Sequence, residues 1–219
     1  MIYRSLANIN IYDSPTLDRL ATQMAKGRYL QVLESEPNFL KIQLLEDSYV
    51  GLLDRQDVEK LEPSDRLSFI DSLPPALSSQ EIRDRLPAVI TFIQQAMATP
   101  NEYLWGGTVA PNYDCSGLMK AAFAAIGVLI PRDAYQQEEF GEPVSLDKVQ
   151  IGDLLFFGTP VKATHVGIYI GNNEYIHSSG KEHGHNGIAL SAIAGQDPVS
   201  QWYASQLRGA ARITKCYIF

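Results

Sequence analysis

The sequence is poor in the residues that carry most covalent and metal chemistry. Among 219 residues there are two cysteines, four histidines and two tryptophans. Cys115 and Cys216 stand far apart in unlike contexts, which excludes a disulfide scaffold. There is no CxxC pair, so a cysteine-rich zinc module is excluded too. No internal repeat or low-complexity tract occurs. Basic charge is scarce: 18 Lys and Arg face 25 Asp and Glu, a net charge of −7, and no basic run stands out. That argues against nucleic acid as a partner, whereas an acidic surface suits amine-bearing ligands. The most apolar long stretch, Leu118 to Ile130, is broken by Lys120 and too short to span a bilayer. The N-terminus, MIYRSLANINIYDSP, lacks a charged segment followed by an apolar core. No membrane partner is expected, and cytoplasmic residence is the expectation.

What is present is ordinary for a globular protein, with 45% hydrophobic and 20% charged residues. At about 150 residues per domain the chain makes one large domain or two unequal ones. Residues 72–80, SLPPALSSQ, read as a joint, because Pro74-Pro75 favours extended backbone. This divides the chain into 1–71, a linker over 72–80, and 81–219. Before the joint, Ile9 to Tyr12, Arg28 to Leu33, Phe39 to Leu45 and Tyr49 to Leu53 alternate with turn signals, as in a small β-barrel. After it, Ile82, Leu86, Val89, Ile90, Ile93 and Met97 recur at helical spacing over Gln80 to Ala98, with Ser79 as the expected N-cap. An Ala-rich helix is predicted over 115–127, ending at Gly127. Strands follow at Leu154 to Phe157, His165 to Ile170, Glu174 to Ser178, Ala189 to Ala192 and Gly209 to Ile213. Helices followed by an antiparallel sheet make an α+β arrangement.

The chemistry centres on Asn112-Tyr113-Asp114-Cys115-Ser116-Gly117. A cysteine in the first turn of a helix meets unpaired N–H groups and the positive end of the macrodipole, which favour thiolate. A lone cysteine is more often buried filler, and Asp114 has its own bland role as an N-cap. A nucleophile needs a base. His165 opens the strand HVGIYIG, and His177 lies in the following NEYIHSSG, across the turn Gly171-Asn172-Asn173. The two can share one face of paired strands, His165 taking the thiol proton and His177 holding its tautomer. The same three residues could instead bind zinc. His183 and His185, in GKEHGHNG, read as a solvated loop.

In chain order stand Tyr103-Leu104-Trp105-Gly106-Gly107, Asp114-Cys115-Ser116-Gly117, Pro131-Arg132-Asp133, Gly152-Asp153-Leu154-Leu155-Phe156-Phe157, His165-Val166-Gly167-Ile168-Tyr169 and Tyr175-Ile176-His177-Ser178. Together, over about residues 82–219, they resemble the NlpC/P60 cysteine peptidases, papain-like enzymes that cleave bacterial cell-wall peptides. The resemblance implies Cys115 as nucleophile, His165 as base, His177 as the orienting residue and the Tyr103 hydroxyl at the oxyanion. It makes Trp105 and Gly106-Gly107 the wall of the cleft. Ile11-Tyr12-Asp13-Ser14-Pro15, Leu20-Ala21-Thr22-Gln23, Gly27-Arg28 and Glu46-Asp47-Ser48-Tyr49-Val50-Gly51 resemble a bacterial SH3 (SH3b) module, although Leu52 stands where many relatives have Trp.

The combination is similar to γ-D-glutamyl-L-diamino acid endopeptidases of murein recycling. It implies an SH3-like barrel on a papain-like α+β domain, a murein tripeptide or tetrapeptide as substrate, and no metal or organic cofactor. In these enzymes the SH3b module closes one end of the cleft, so that only a free N-terminal L-Ala is admitted. Asp133 matches the position that meets the amine. Tyr49 is a candidate second contact, and Asp114 and Ser116 are further substrate contacts. Asp133 could otherwise be a turn or surface ion pair beside Arg132, and Tyr49 could be barrel core. Ala134 stands where some relatives have a serine whose hydroxyl meets the D-glutamyl carboxylate. The alternative implied by the same resemblance is a wall-anchored endopeptidase on intact murein.

Overall fold

Short alternating runs build the first sheet in the computed structural model, which describes residues 1–217. Its strands are β1 (Ile2–Ser5), β2 (Ile9–Tyr12), β3 (Leu20–Met24), β4 (Tyr29–Ser35), β5 (Phe39–Leu44), β6 (Val50–Asp54) and β7 (Leu61–Ser64). They pair antiparallel in the order β3-β2-β6-β5-β4-β1-β7, an SH3-like arrangement. Alternation sets the inward face: in β5, Leu40, Ile42 and Leu44 are buried and the residues between them are not. They meet Ile9, Ile11, Met24, Leu30 and Leu53 in one core. Strands β1, β3 and β7 were not expected from the sequence. β1 and β7 are four residues each with no clean alternation, and β3 (LATQM) buries neighbouring Ala21 and Thr22.

A short helix, α1 (Arg66–Ser72), closes this part, and residues 73–78 lead into α2 (Ser79–Ala98). The cap of α2 is Ser78, one residue earlier than expected. Glu81 is the reason: its carboxylate accepts from the Ser78 N–H at 2.8 Å while the Glu81 N–H donates to Ser78 Oγ at 3.3 Å, a reciprocal capping box. Next come a two-residue hairpin of β8 (Thr108–Val109) and β9 (Asn112–Tyr113), then α3 (Cys115–Ala124) and α4 (Ala134–Phe140). Regular helix in α3 stops at Ala124, short of the expected Gly127. The chain turns once more, and Gly127 at φ 80° lets the Val128 N–H reach the Phe123 carbonyl at 3.0 Å.

The second sheet comprises β10 (Glu142–Val144), β11 (Leu154–Gly158), β12 (Ala163–Gly171), β13 (Glu174–Ser179), β14 (Gly187–Ala192) and β15 (Leu207–Arg212). The helix α5 (Pro198–Ala204) precedes β15. The order is β10-β15-β11-β12-β13-β14, every pair antiparallel. Ile82, Val89 and Ile93 of α2 and Leu118, Met119, Ala122 and Phe123 of α3 form one apolar cluster with Leu154, Phe156, Val166, Ile168 and Ile176. A second cluster joins Leu155, Phe157, Tyr175 and Ala210 to Tyr203 of α5. Helices α4 and α5 and strand β10 were missed in the sequence because each is only one or two turns, or three residues, long. Among the described residues no helix is long and apolar enough to cross a membrane.

Candidate active site

Cys115 is the first residue of α3, and Asp114 is its N-cap. The Asp114 carboxylate accepts from Gly117 N–H at 2.6 Å, from Gly106 N–H at 2.9 Å and from Arg132 Nη2 at 2.6 Å. It thereby ties the helix start to the loop before β8 and to a buried guanidinium. Ser116 Oγ accepts from Arg132 Nη1 at 2.9 Å. Both residues line the cavity described below, and inside the protein their polar groups also hold Arg132 and the start of α3. Gly117 is required at its position: a Cβ there would lie 2.0 Å from the Gly107 carbonyl oxygen.

Helix α3 packs against β12. Burial, then the Asp114 carboxylate, pushes the Cys115 thiol up to about 12, against the opposing pull of the Val166 and Ser116 backbone N–H groups. His165 is also buried, which pulls its pKa down to about 3. Desolvation therefore holds both groups neutral at rest. His165 Nε2 lies 2.7 Å from His177 Nδ1, so Nδ1 is the nitrogen left to serve the thiol. The His165 ring stacks on Tyr203, 4.3 Å between centroids. His177 is fully buried and held well below its usual range by burial, then by the neighbouring imidazoles.

Sequence reasoning missed the continuation of this chain. His177 Nε2 lies 3.0 Å from Ser191 Oγ, and Ser191 Oγ lies 3.1 Å from His185 Nε2. His185 is thus not the unattached loop residue expected, although its ring is exposed. His183 also departs from expectation, stacking on Trp202 at 3.7 Å. The signal for Ser191 lay in the pairing register, which sets Tyr175 opposite Ser191 and His177 opposite Ala189. A sequence without strand partners does not show it. Among the described residues, no group of three His, Cys, Asp or Glu is arranged to hold a metal ion.

In front of Cys115 lies a cavity of about 260 Å³ between the two parts of the chain. Asp13, Ala21 and Tyr49 come from the first sheet, and Tyr103, Trp105, Arg132, Asp133, Ala134, Tyr135 and Lys162 are among those from the second part. Trp105 is 66% exposed and forms an open wall rather than core. Tyr103 is half-buried, and its phenol is held in the protonated state by burial, then by Cys115 and Asp114. The Tyr49 phenol is pushed up to about 12 by burial, then by Asp133. Asp133 heads α4, with Gln136 Oε1 accepting from its N–H at 3.0 Å. Its carboxyl is raised by burial, then by Asp114 and Asp47, against the opposing pull of Arg132 and Lys162. Arg132 is paired with Asp114 rather than with Asp133. A half-buried carboxylate with raised pKa gains from any cation brought beside it.

Contacts across the two parts hold the cavity in shape. Arg132 Nε donates to Thr22 Oγ1 at 2.8 Å, and Thr108 Oγ1 donates to the Gln23 carbonyl at 2.8 Å. Gln23 Oε1 accepts from the N–H groups of Thr108 and Val109. Lys120 of α3 reaches Asp47 at 2.8 Å and Glu46 at 3.4 Å, both just before Tyr49. Arg28 pairs with Glu46 from within the first sheet. Gly106, at φ 79°, packs directly on Leu20.

Residues 100–206 match the model of the NlpC/P60 family, and residues 11–58 match that of the bacterial dipeptidyl-peptidase Sh3 domain. The chain is 41% identical over 92 residues to a protein named murein DD-endopeptidase MepS/murein LD-carboxypeptidase of Escherichia coli, covering 42% of this chain and 47% of that one. It is 46% identical over 79 residues to the γ-D-glutamyl-L-lysine dipeptidyl-peptidase of Bacillus subtilis, covering 35% of this chain and 27% of that one. The chain thus spans half or less of the length of these relatives. Among solved structures, the peptidoglycan hydrolase RipB of Mycobacterium tuberculosis aligns with TM-score 0.51 and 26% identity over 64% of this chain and 70% of its own.

Proposed function

We propose that this chain, which joins an NlpC/P60 domain to a bacterial SH3 domain, is a cysteine endopeptidase. It hydrolyses the bond between γ-D-glutamate and an L-diamino acid in murein peptides with a free N-terminal L-Ala. The reading rests above all on one observation: Cys115 lines a cavity whose wall carries Tyr49 and Asp13 from the first part of the chain and Asp133 from the second. An amine suits that wall, since a protonated amine beside Asp133 recovers the charge interaction that burial denies the carboxylate. In this reading the first part of the chain walls off the amine end, which excludes a longer N-terminal chain and suits murein recycling rather than cutting of the intact wall.

Cys115 Sγ attacks the γ-carbonyl carbon while its proton passes to His165 Nδ1. The oxyanion is met by the Tyr103 hydroxyl and the orphan N–H groups at the start of α3. His165 returns the proton to the departing amine of the diamino acid. Water then hydrolyses the thioester, releasing L-Ala-γ-D-Glu and restoring the thiol. Burial of both Cys115 and His165 fits proton transfer concerted with attack better than a standing ion pair.

The γ-linked D-glutamate keeps its α-carboxylate, which needs a cation. Ala134 offers no hydroxyl. Arg132 is already neutralised by Asp114, whereas Lys162 lines the same cavity with its Nζ 5.4 Å from the Tyr135 ring centroid. We assign the carboxylate contact to Lys162. The overall reading is tested by mass-spectrometric product analysis after incubation with L-Ala-γ-D-Glu-meso-diaminopimelate. Free diaminopimelate and L-Ala-γ-D-Glu are expected from the native chain and not from Cys115→Ala. Any other pair of products rules out the assigned bond.

A further inference from the structure

We propose that Ser191 and His185 are positioning residues that fix the proton arrangement of the His165–His177 pair, and through it the reactivity of Cys115. This rests on reading Cys115 as nucleophile and His165 as base, but not on any particular substrate. The four groups form an unbroken series: His165 Nε2 to His177 Nδ1 at 2.7 Å, His177 Nε2 to Ser191 Oγ at 3.0 Å, and Ser191 Oγ to His185 Nε2 at 3.1 Å. A neutral imidazole has one donor and one acceptor, so each link fixes the next. For His165 to accept a proton at Nδ1, its Nε2 must donate to His177 Nδ1. His177 then carries its hydrogen on Nε2 and donates to Ser191 Oγ. The single serine proton is left to donate to His185 Nε2. The order that makes His165 a base thus ends on an acceptor at the exposed rim.

Removing Ser191 leaves the His177 Nε2–H buried without this partner, a costly state. The tautomer with hydrogen on Nδ1 then becomes favourable. It faces His165 Nε2 and drives the His165 hydrogen onto Nδ1, where it blocks the base. Removing the His185 acceptor works in the same direction, since the serine proton then loses the partner that orients it. The other polar groups around the series are Tyr175, whose buried hydroxyl has no hydrogen-bond partner among the described residues, Tyr203 stacked on His165, Tyr103 against Gly180, and Lys181, Glu182 and His183 of the loop itself. Of the four members of the series, only His185 is exposed.

The test measures the rate of iodoacetamide alkylation at Cys115 in the full chain at neutral pH, read by mass spectrometry of the Cys115 peptide. Ser191→Ala and His185→Phe should each slow alkylation roughly ten-fold at neutral pH. Ser191→Thr, which keeps the hydroxyl, should restore it. His185→Gln, which keeps an acceptor, should keep the native rate. His185 lies in an exposed loop, so its variants remain readable if Ser191→Ala fails to fold. His185→Phe with the native rate would overturn the proposal. Native alkylation behaviour as described, without hydrolysis of murein peptides, would sink the substrate reading alone, whereas an inert native Cys115 would sink both.

Discussion

Asp133 and Lys162 line the same cavity and carry opposite charges, so in the proposed pose Asp133 takes the amine and Lys162 the carboxylate of the substrate. Asp133→Asn should raise KM about ten-fold for peptides with a free amine, since a half-desolvated charge pair contributes more than an exposed one. Lys162→Met should raise KM for D-glutamyl peptides but not for those bearing the α-amide, D-isoglutamine. Steady-state kinetics on the two peptides checks both, and an equal loss on the amide would remove Lys162 from the site. A second residue-scale consequence concerns pH and stability. Burial holds His165 at about 3, whereas an unfolded histidine takes its proton at about 6.5. Between these values the unfolded chain holds more protons. The contribution is therefore fully present above about pH 6.5 and is lost as pH falls toward about 3. The raised carboxyl of Asp133 works in the opposite sense. The urea midpoint should fall between about pH 7.5 and 5, and fall less in His165→Gln. Equal falls would show that His165 is not held neutral. At this scale the placement of Cys115 at a helix start and of His165 beside His177 on paired strands was readable, because each sits in a local motif. Ser191 and His185, fourteen and eight residues beyond His177, meet it only through the β13–β14 register and the loop between those strands, which the sequence alone does not display.

Secondary elements carry the site by their ends. The start of α3 is fixed by Asp114, whose carboxylate is buried with Arg132 and also caps the helix. Removing one member of a buried pair leaves the other uncompensated. Asp114→Ala should therefore cost about 3 to 5 kcal/mol, measured by equilibrium urea unfolding. A loss of under about 1 kcal/mol would mean that Asp114 is an ordinary cap. The elements with long periodic runs, α2 and the inner strands of both sheets, were legible from spacing. The capping residue of α2 was displaced by one because two serines adjoin, and only the position three residues before Glu81 completes the reciprocal bonds. The short strands β1, β7 and β10 take their identity from partners far along the chain, such as β1 from β4 and β7, so local pattern could not find them.

At the scale of the whole molecule, the first sheet is a wall of the cavity as well as a neighbour. The buried network of Lys120, Glu46, Asp47 and Arg28 links the helix bearing Cys115 to the loop bearing Tyr49. Lys120→Met should loosen that loop and raise KM about ten-fold for free-amine peptides, with Cys115 alkylation unchanged. Equal losses in both would place the network in the fold of α3 instead. Two-part organisation was legible from Pro74-Pro75. The docking was not, since it depends on Arg132, Gln23 and Lys120, polar residues that look like solvated surface until partners from the other part bury them. The account as a whole stands on the proposal that the first part of the chain walls off the amine end of the cavity. It is tested most directly by the ratio of kcat/KM for L-Ala-γ-D-Glu-meso-diaminopimelate to that for the same peptide acetylated on its N-terminus. A preference for the free amine of at least roughly a hundred-fold is expected from loss of the charge and a clash at the wall. Equal rates would contradict the closed cavity and make the chain an endopeptidase of longer murein peptides.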